Sequence, residues 1–272
     1  MSPSHFLIGD DSLNDPTADG RLPDAAEKVF RTVGNAARQD LQHDHHGARI
    51  HELVQHAQQL TDAVIREVVE ASPTARRPAC CEGCAACCHL HIVVTSVEVL
   101  AIAAHMHDQM TSENLADVRE RIDGHIEQTD GLDASARRQI RPACPLLESG
   151  RCAIYSVRPI SCRGWNSLDR SVCDADIANP EANAKTPVNL GQYVLAGRVV
   201  EGLAAASHSM RLENRPLDFA RGLRIALDDP AKTAMAWRAG TDVFAEAVNE
   251  RVFPGSRDFD EERARTSLWN SL

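Results

Sequence analysis

The segment CCEGCAACCHLH, Cys80 to His91, places five thiols and two imidazoles within twelve residues. Four more cysteines, Cys144, Cys152, Cys162 and Cys173, follow in the stretch ACPLLESGRCAIYSVRPISCRGWNSLDRSVCD. Three chemistries are open to such a set: a disulfide clamp, a reactive nucleophile, or a metal site. Nine thiols cannot all pair with one another. A bridge between neighbours such as Cys87 and Cys88 would also be strained, because adjacent Cα atoms lie about 3.8 Å apart, below the usual disulfide window. A C-x-x-C spacing suits a metal better, since the intervening turn brings two thiolates to the same side and Gly83 permits its tight backbone. At each adjacent pair, one cysteine is expected to bind while its neighbour points elsewhere.

The second group supplies what a four-thiolate site still lacks. Gly150, Pro145 and Pro159 beside these cysteines are turn chemistry for loops wrapped around an ion. Residues 141–185 lose all periodicity, and metal–sulfur bonds would explain how so long an irregular segment is held. Four thiolates around zinc, or around an oxidised four-iron cluster, leave a net charge of about −2. Arg76, Arg77, Arg151, Arg158 and Arg163 stand close by in sequence to offset it. The Cys80, Cys84 and Cys87 interval also matches the spacing of radical-enzyme clusters, but the alternating strands and helices of a barrel are missing.

These residues resemble the YkgJ-type cysteine-cluster family, described as zinc- or iron-chelating. Its pattern is C-x-x-C-x-x-C-C, a helical stretch, then C-P, G-x-C-x-I-Y, R-P and C-R. The matching positions are Cys81, Cys84, Cys87, Cys88, Cys144, Pro145, Gly150, Cys152, Ile154, Tyr155, Arg158, Pro159, Cys162 and Arg163. The resemblance covers residues 80–165 and implies that Cys81, Cys84, Cys87, Cys88, Cys144, Cys152 and Cys162 are the metal ligands. Cys80 and Cys173 lie outside its core. Thiolate-only sites suit both zinc and iron–sulfur clusters. The ferredoxin-like spacing favours a four-iron cluster, with a zinc or iron ion as the alternative. The first choice of shell is Cys81, Cys84 and Cys88, completed by Cys144, Cys152 or Cys162. Seven thiols exceed one shell, so a second metal binds or the spare thiols are structural or redox-active.

The elements that must position these groups read as helices. Ile50, Leu53, Val54, Ala57, Leu60, Val64 and Val68 form one apolar stripe within a helical region from Pro23 to about Glu70. Gly34 and the HDHHG run, His43 to Gly47, are expected to kink or break it. Pro73 and Pro78 end it. Thr95 with Glu98 forms a capping box, and Thr111 or Ser112 caps a following helix carrying Leu115, Val118, Ile122 and Ile126. A helix resumes near Pro187, and shorter ones follow at about 216–228, 230–238 and 241–250. HIVVTS is the one plausible strand. The chain reads as mainly α, a helical bundle with a cysteine-rich, irregular, metal-organised loop region. Residues 1–22 form a flexible leader, 23–250 one helical domain holding the cysteine core 80–173, and 251–272 a loose charged tail.

With a net charge of −10 over 272 residues, nucleic acid and anionic membranes are poor general partners. Only Lys28, Lys185 and Lys232 are lysines, so arginine carries nearly all positive charge. No apolar run approaches a bilayer span, and no signal peptide is read at the N-terminus. A cytoplasmic location follows, where dense thiols stay reduced and serve metal or redox chemistry.

Other candidates weigh less. His89 and His91 are possible imidazole ligands but read better as polar borders of a sulfur-rich site. His43, Asp44 and His46, like His105 and His107, share no clean ligand face. Tyr155, Arg158 and Arg163 are assigned to the bound group as supporting residues, Arg158 donating to thiolates or carbonyls. Trp165, Asn166 and Asp169 could line a pocket, though a capped turn explains Asn166 and Asp169 equally well. The resulting function is metal holding, electron transfer or redox sensing. An enzyme with an open coordination position and a structural zinc knot in a partner-binding protein are the alternatives.

Overall fold

A computed structural model describes residues 21–71, 77–81, 83–182 and 185–249. The expected leader up to residue 20, Pro73, Arg76 and the tail from 250 lie outside them. The architecture is mainly helical, as expected. Ten α-helices are formed among the described residues: α1 Arg21–His43, α2 Ile50–Ala71, α3 Ser96–Gln109, α4 Ser112–Thr129, α5 Ala134–Ile140, α6 Ile160–Gly164, α7 Arg170–Ala178, α8 Leu190–Ser209, α9 Phe219–Asp228 and α10 Pro230–Arg238. Two antiparallel pairs of two-residue strands complete the fold: β1 Val93–Val94 with β4 Leu217–Asp218, and β2 Leu147–Glu148 with β3 Arg151–Cys152.

Helix α8 is the central strut. Leu190, Val194, Leu195, Val199, Leu203 and Ala206 are buried, and the helix packs on α1, α2 and α6. Its partner α1 buries Leu22, Ala26, Val29, Val33, Ala37 and Leu41, a stripe at helical spacing that faces α8. Helix α3 is buried on nearly every side, through Val97, Val99, Leu100, Ile102, Ala103 and Met106, and lies between α2, α9 and α10.

Gly34 does not kink the chain. Helix α1 runs through it without interruption, because its missing Cβ serves packing: Gly34 meets Gly202 of α8. A Cβ on Gly202 would lie 2.9 Å from the Val33 Cβ and 3.0 Å from the Phe30 carbonyl oxygen. The expected break falls only at the HDHHG run. There the buried Asp44 carboxylate accepts the amides of His46, Ala48 and Arg49 at 3.3, 3.0 and 2.9 Å, which turns the chain into α2.

Two other expectations need correction. Residues 141–185 are less irregular than the sequence suggests, since β2, β3, α6, α7 and single 3-10 turns at Tyr155–Val157 and Pro180–Ala182 occupy them. These pieces are too short to show a period. The helix expected at 241–250 is only a 3-10 turn, Ala245–Ala247, and Leu217–Asp218 extend into β4 before α9 begins.

Gly202→Ala should cost about 1–3 kcal/mol by forcing α1 and α8 apart. Urea denaturation followed by circular dichroism measures it, and an unchanged midpoint would contradict the close approach.

Candidate metal centre

The first cysteine segment is shaped by its own backbone. The Cys84 amide donates to the Cys81 carbonyl at 3.1 Å, and Gly83 sits at φ 78° with open space where a Cβ would be. A 3-10 turn, Ala86–His89, follows, with the Cys88 amide on the Ala85 carbonyl at 2.9 Å. The chain then extends through β1 into α3.

The second segment is docked onto the first by one backbone bond: the Cys144 amide donates to the Cys88 carbonyl at 2.7 Å. Beyond it, Ser149 at φ 48° and Gly150 at φ 77° form the left-handed pair of a two-residue hairpin loop, which sets Cys152 opposite Leu147. Cys162 lies on α6. The first turn of that helix is held by Glu98, whose Oε1 accepts the Ile160 amide at 2.9 Å. The other oxygen, Oε2, accepts the amide and hydroxyl of Thr95, both at 2.9 Å, completing the expected capping box of α3. Glu98 is wholly buried, and burial raises its pKa against the pull of these donors. Gln58 from α2 also donates to the carbonyls of Val157 and Arg158, at 3.0 and 3.3 Å.

Helix α7 brings in a third piece. The Ala79 amide donates to the Ser167 carbonyl at 2.7 Å, and Arg170 Nη1 reaches the Cys81 sulfur at 3.4 Å. Asp169 caps α7 through the Ser171 amide, and Asn166 joins the Gly164 and Asn189 backbone. Both therefore act as capping and turn residues.

All nine cysteines are free thiols; Cys80 and Cys81 are exposed and the rest half-buried. Cys87 acts electrostatically on Cys80, Cys144, Cys152, Cys162 and Cys173. Cys162 is pushed up by burial, then by Cys144, Cys87 and Cys152. Cys144 is pushed up to about 11 by burial, then by Cys152 and Cys87. Cys87 is raised by its hydrogen bond with Cys88 and by burial, against which Arg158 works. Arg158 also pulls on Cys152, and Arg121 on Cys144. Among the described residues, no three Cys, His, Asp or Glu side chains converge into a ready-made group for a metal ion. As a donor set, reduced thiols backed by arginine nevertheless suit a thiophilic cation or an iron–sulfur cluster.

Residues 80–182 match the family model described as "CxxCxxCC: Putative zinc- or iron-chelating domain". The likeness to a CxxCxxCC domain is confined to this segment. It begins at Cys80, holds every cysteine and ends just past α7. Zinc or iron chelation is what that family's description names, and the thiol-rich face is the part of the chain that the match covers. No curated protein and no solved structure matches the chain. No helix among the described residues is long and apolar enough to cross a membrane.

The remaining candidates of the domain fall into place around the thiols. The Arg158 guanidinium stacks 3.9 Å from the centroid of Tyr155, a ring that is 64% exposed. Arg163 turns away from the thiols and holds carbonyls: its Nε donates to Arg158 at 3.2 Å, another nitrogen to Ser156, and a third pairs with Asp62 at 2.6 Å. His89 Nδ1 is spent on the Arg141 carbonyl at 3.0 Å. His91 belongs to a polar knot with Asp218, Arg137 and Asn249, all 3.0–3.1 Å from its Nε2. On α3, His105 and His107 flank the buried Met106 and point to different sides.

Two residues carried no sequence signal for their part here. Glu98 is legible as a cap, but its second oxygen serving α6 depends on a contact across 62 positions. Arg170 meets Cys81 only because α7 folds back over the loop.

Glu98→Ala would leave three backbone and hydroxyl donors without their acceptor and should lower stability by about 3 kcal/mol. It should also speed modification of Cys162 by a thiol reagent, read by mass spectrometry; unchanged protection of Cys162 would remove Glu98 as its anchor. Burial pushes the Asp218 carboxyl up, but His91, the Arg221 amide and Arg137 outweigh it and hold it well below the usual carboxylate range. That stabilisation is present above the unfolded pKa and is lost as pH falls towards the lowered folded value. Asp218→Asn should thus lower stability at neutral pH, with the gap to wild type closing below about pH 4. A gap that widens in acid would reverse the assignment.

Proposed function

We propose that the segments 81–88 and 144–162 hold a thiolate-ligated metal centre, with a four-iron–four-sulfur cluster favoured over a zinc or iron ion. The observation that carries this reading is the meeting of the two segments: the Cys144 amide bonds the Cys88 carbonyl, and Cys87 neighbours Cys144, Cys152 and Cys162 alike. Cys81, Cys84, Cys87, Cys88, Cys144, Cys152 and Cys162 are the ligand candidates. The C-x-x-C-x-x-C run supports iron–sulfur ligation. Arg158 and Arg121 supply positive charge beside the buried sulfurs, where an anionic centre would need it. Because no three of these thiols converge among the described residues, bonding to a metal would draw the two loops together and couple loading to stability. A cluster would serve electron transfer or redox sensing, and an ion would serve metal holding. Reduced thiols in this number fit the cytoplasm.

Anaerobic purification with elemental analysis and visible absorption tests the reading. Brown protein with iron and labile sulfide is expected, and Cys87→Ser or Cys152→Ser should lose it together with several degrees of melting temperature. Colourless protein with stoichiometric zinc would reject the cluster. Protein that takes up neither would overturn the metal reading.

A further inference from the structure

Away from the sulfurs, one ring nitrogen faces partners with opposite demands. His91 Nε2 lies 3.0 Å from the Asp218 carboxylate of β4, 3.1 Å from the Arg137 guanidinium of α5 and 3.1 Å from the side-chain nitrogen of Asn249. An ionised carboxylate only accepts and a guanidinium only donates, so no single protonation state of Nε2 suits both. Arg137 Nη1 spans the conflict by donating to the same Asp218 oxygen at 2.7 Å. The other Asp218 oxygen accepts the Arg221 amide of α9 at 3.0 Å. His125 faces the knot from α4, coupled by charge to Arg137, Asp218 and His91, and burial keeps its pKa below the ordinary histidine value. Its Nδ1 donates to the Ala143 carbonyl at 3.0 Å.

Asn249 ties this knot to the edge of the sheet. Its backbone amide donates to the Pro216 carbonyl at 2.8 Å, and Val248 bridges Leu217 beside it. Leu217 pairs with Val94 on its other side, so β4 lies between β1 and a short strap at 248–249. His91, two residues before β1, reaches across β4 to that strap.

The two charge states of the ring hold the strap differently. A neutral ring with its proton on Nδ1 offers the Nε2 lone pair to Asn249 and Arg137. A protonated ring donates Nε2–H to Asp218 and sets it against the Asn249 N–H groups, donor against donor. Asp218 keeps Arg137 and the Arg221 amide in both states, so the strap is the part that changes hands. Asp218 is 7% exposed and His91 24%, which leaves the imidazole open to protons from solvent.

We infer that His91 is a proton-operated latch on the 248–249 strap: the neutral ring holds Asn249, and proton uptake turns Nε2 to Asp218 and frees that edge of the sheet. The latch lies outside the proposed thiol site and needs no bound metal.

The test uses the full-length chain labelled with nitrogen-15, followed from pH 8 to pH 5, the interval over which histidine rings titrate. Long-range proton–nitrogen correlation spectra read both ring nitrogens, and the signals missing from His91→Gln assign His91. The neutral His91 ring is expected to carry its proton on Nδ1. Hydrogen–deuterium exchange, corrected for intrinsic rates, should show protection at 248–249 falling about tenfold as the ring takes up its proton, the loss of roughly one hydrogen bond. In His91→Gln, whose side chain cannot titrate, protection there should be equal at both ends of the range, with far-UV circular dichroism confirming the fold. The tautomer is read in wild type and needs no substitution. A neutral His91 with its proton on Nε2, constant protection in wild type, or the same fall in His91→Gln would each overturn the latch.

Discussion

Glu98 has no exposure to solvent, and both of its oxygens are taken by donors from two parts of the chain. One oxygen starts α3, the most buried short helix of the fold. The other holds the first turn of α6, which carries Cys162. A buried carboxylate is costly unless every lone pair finds a donor. Here those donors are the unsatisfied amides of two helix N-termini, groups that would themselves be costly if left alone. The same bond fixes the distance between scaffold and sulfur, so the position of the thiol-rich loops follows from a requirement of the core.

Around that link the chain uses small residues where other folds use aromatics. Aromatic residues make up only 4% of the sequence. Helices α1 and α8 compensate by approaching closely at Gly34 and Gly202, so dispersion contacts come from backbone and short side chains. Helices α1, α2 and α8 pack together, and α6 lies against α2 and α8. Cys144 and Cys152 pack against the core, whereas Cys80 and Cys81 lie exposed at the other end of the series.

Charge is arranged locally against the overall balance. The chain is acidic, but arginines attend the thiols from three sources: Arg158 before α6, Arg121 on α4 and Arg170 on α7. Arg163 works indirectly by binding the Ser156 and Arg158 carbonyls, which orients the loop that carries Arg158. A planar guanidinium suits this task because its five donors can serve several carbonyls at once.

Much of this was legible in the residues. Thr95 and Glu98 announced the start of α3, the i, i+3, i+4 stripes announced α2, α4 and α8, and the cysteine spacing announced the family resemblance, since these signals depend on neighbours within one or two turns. Gly34 misled because a glycine that bends a helix and one that admits a neighbouring helix look alike until the neighbour is known. The short helices α5, α6 and α7 were hidden because so few residues cannot display a period. Only the tertiary structure decided which sulfurs share a neighbourhood. The Cys88 and Cys144 backbones, 56 positions apart, join by a hydrogen bond, and the Ala79 amide meets the Ser167 carbonyl just before α7. Local sequence set the kind of side chain; long-range backbone bonds and a buried carboxylate set where the thiols lie.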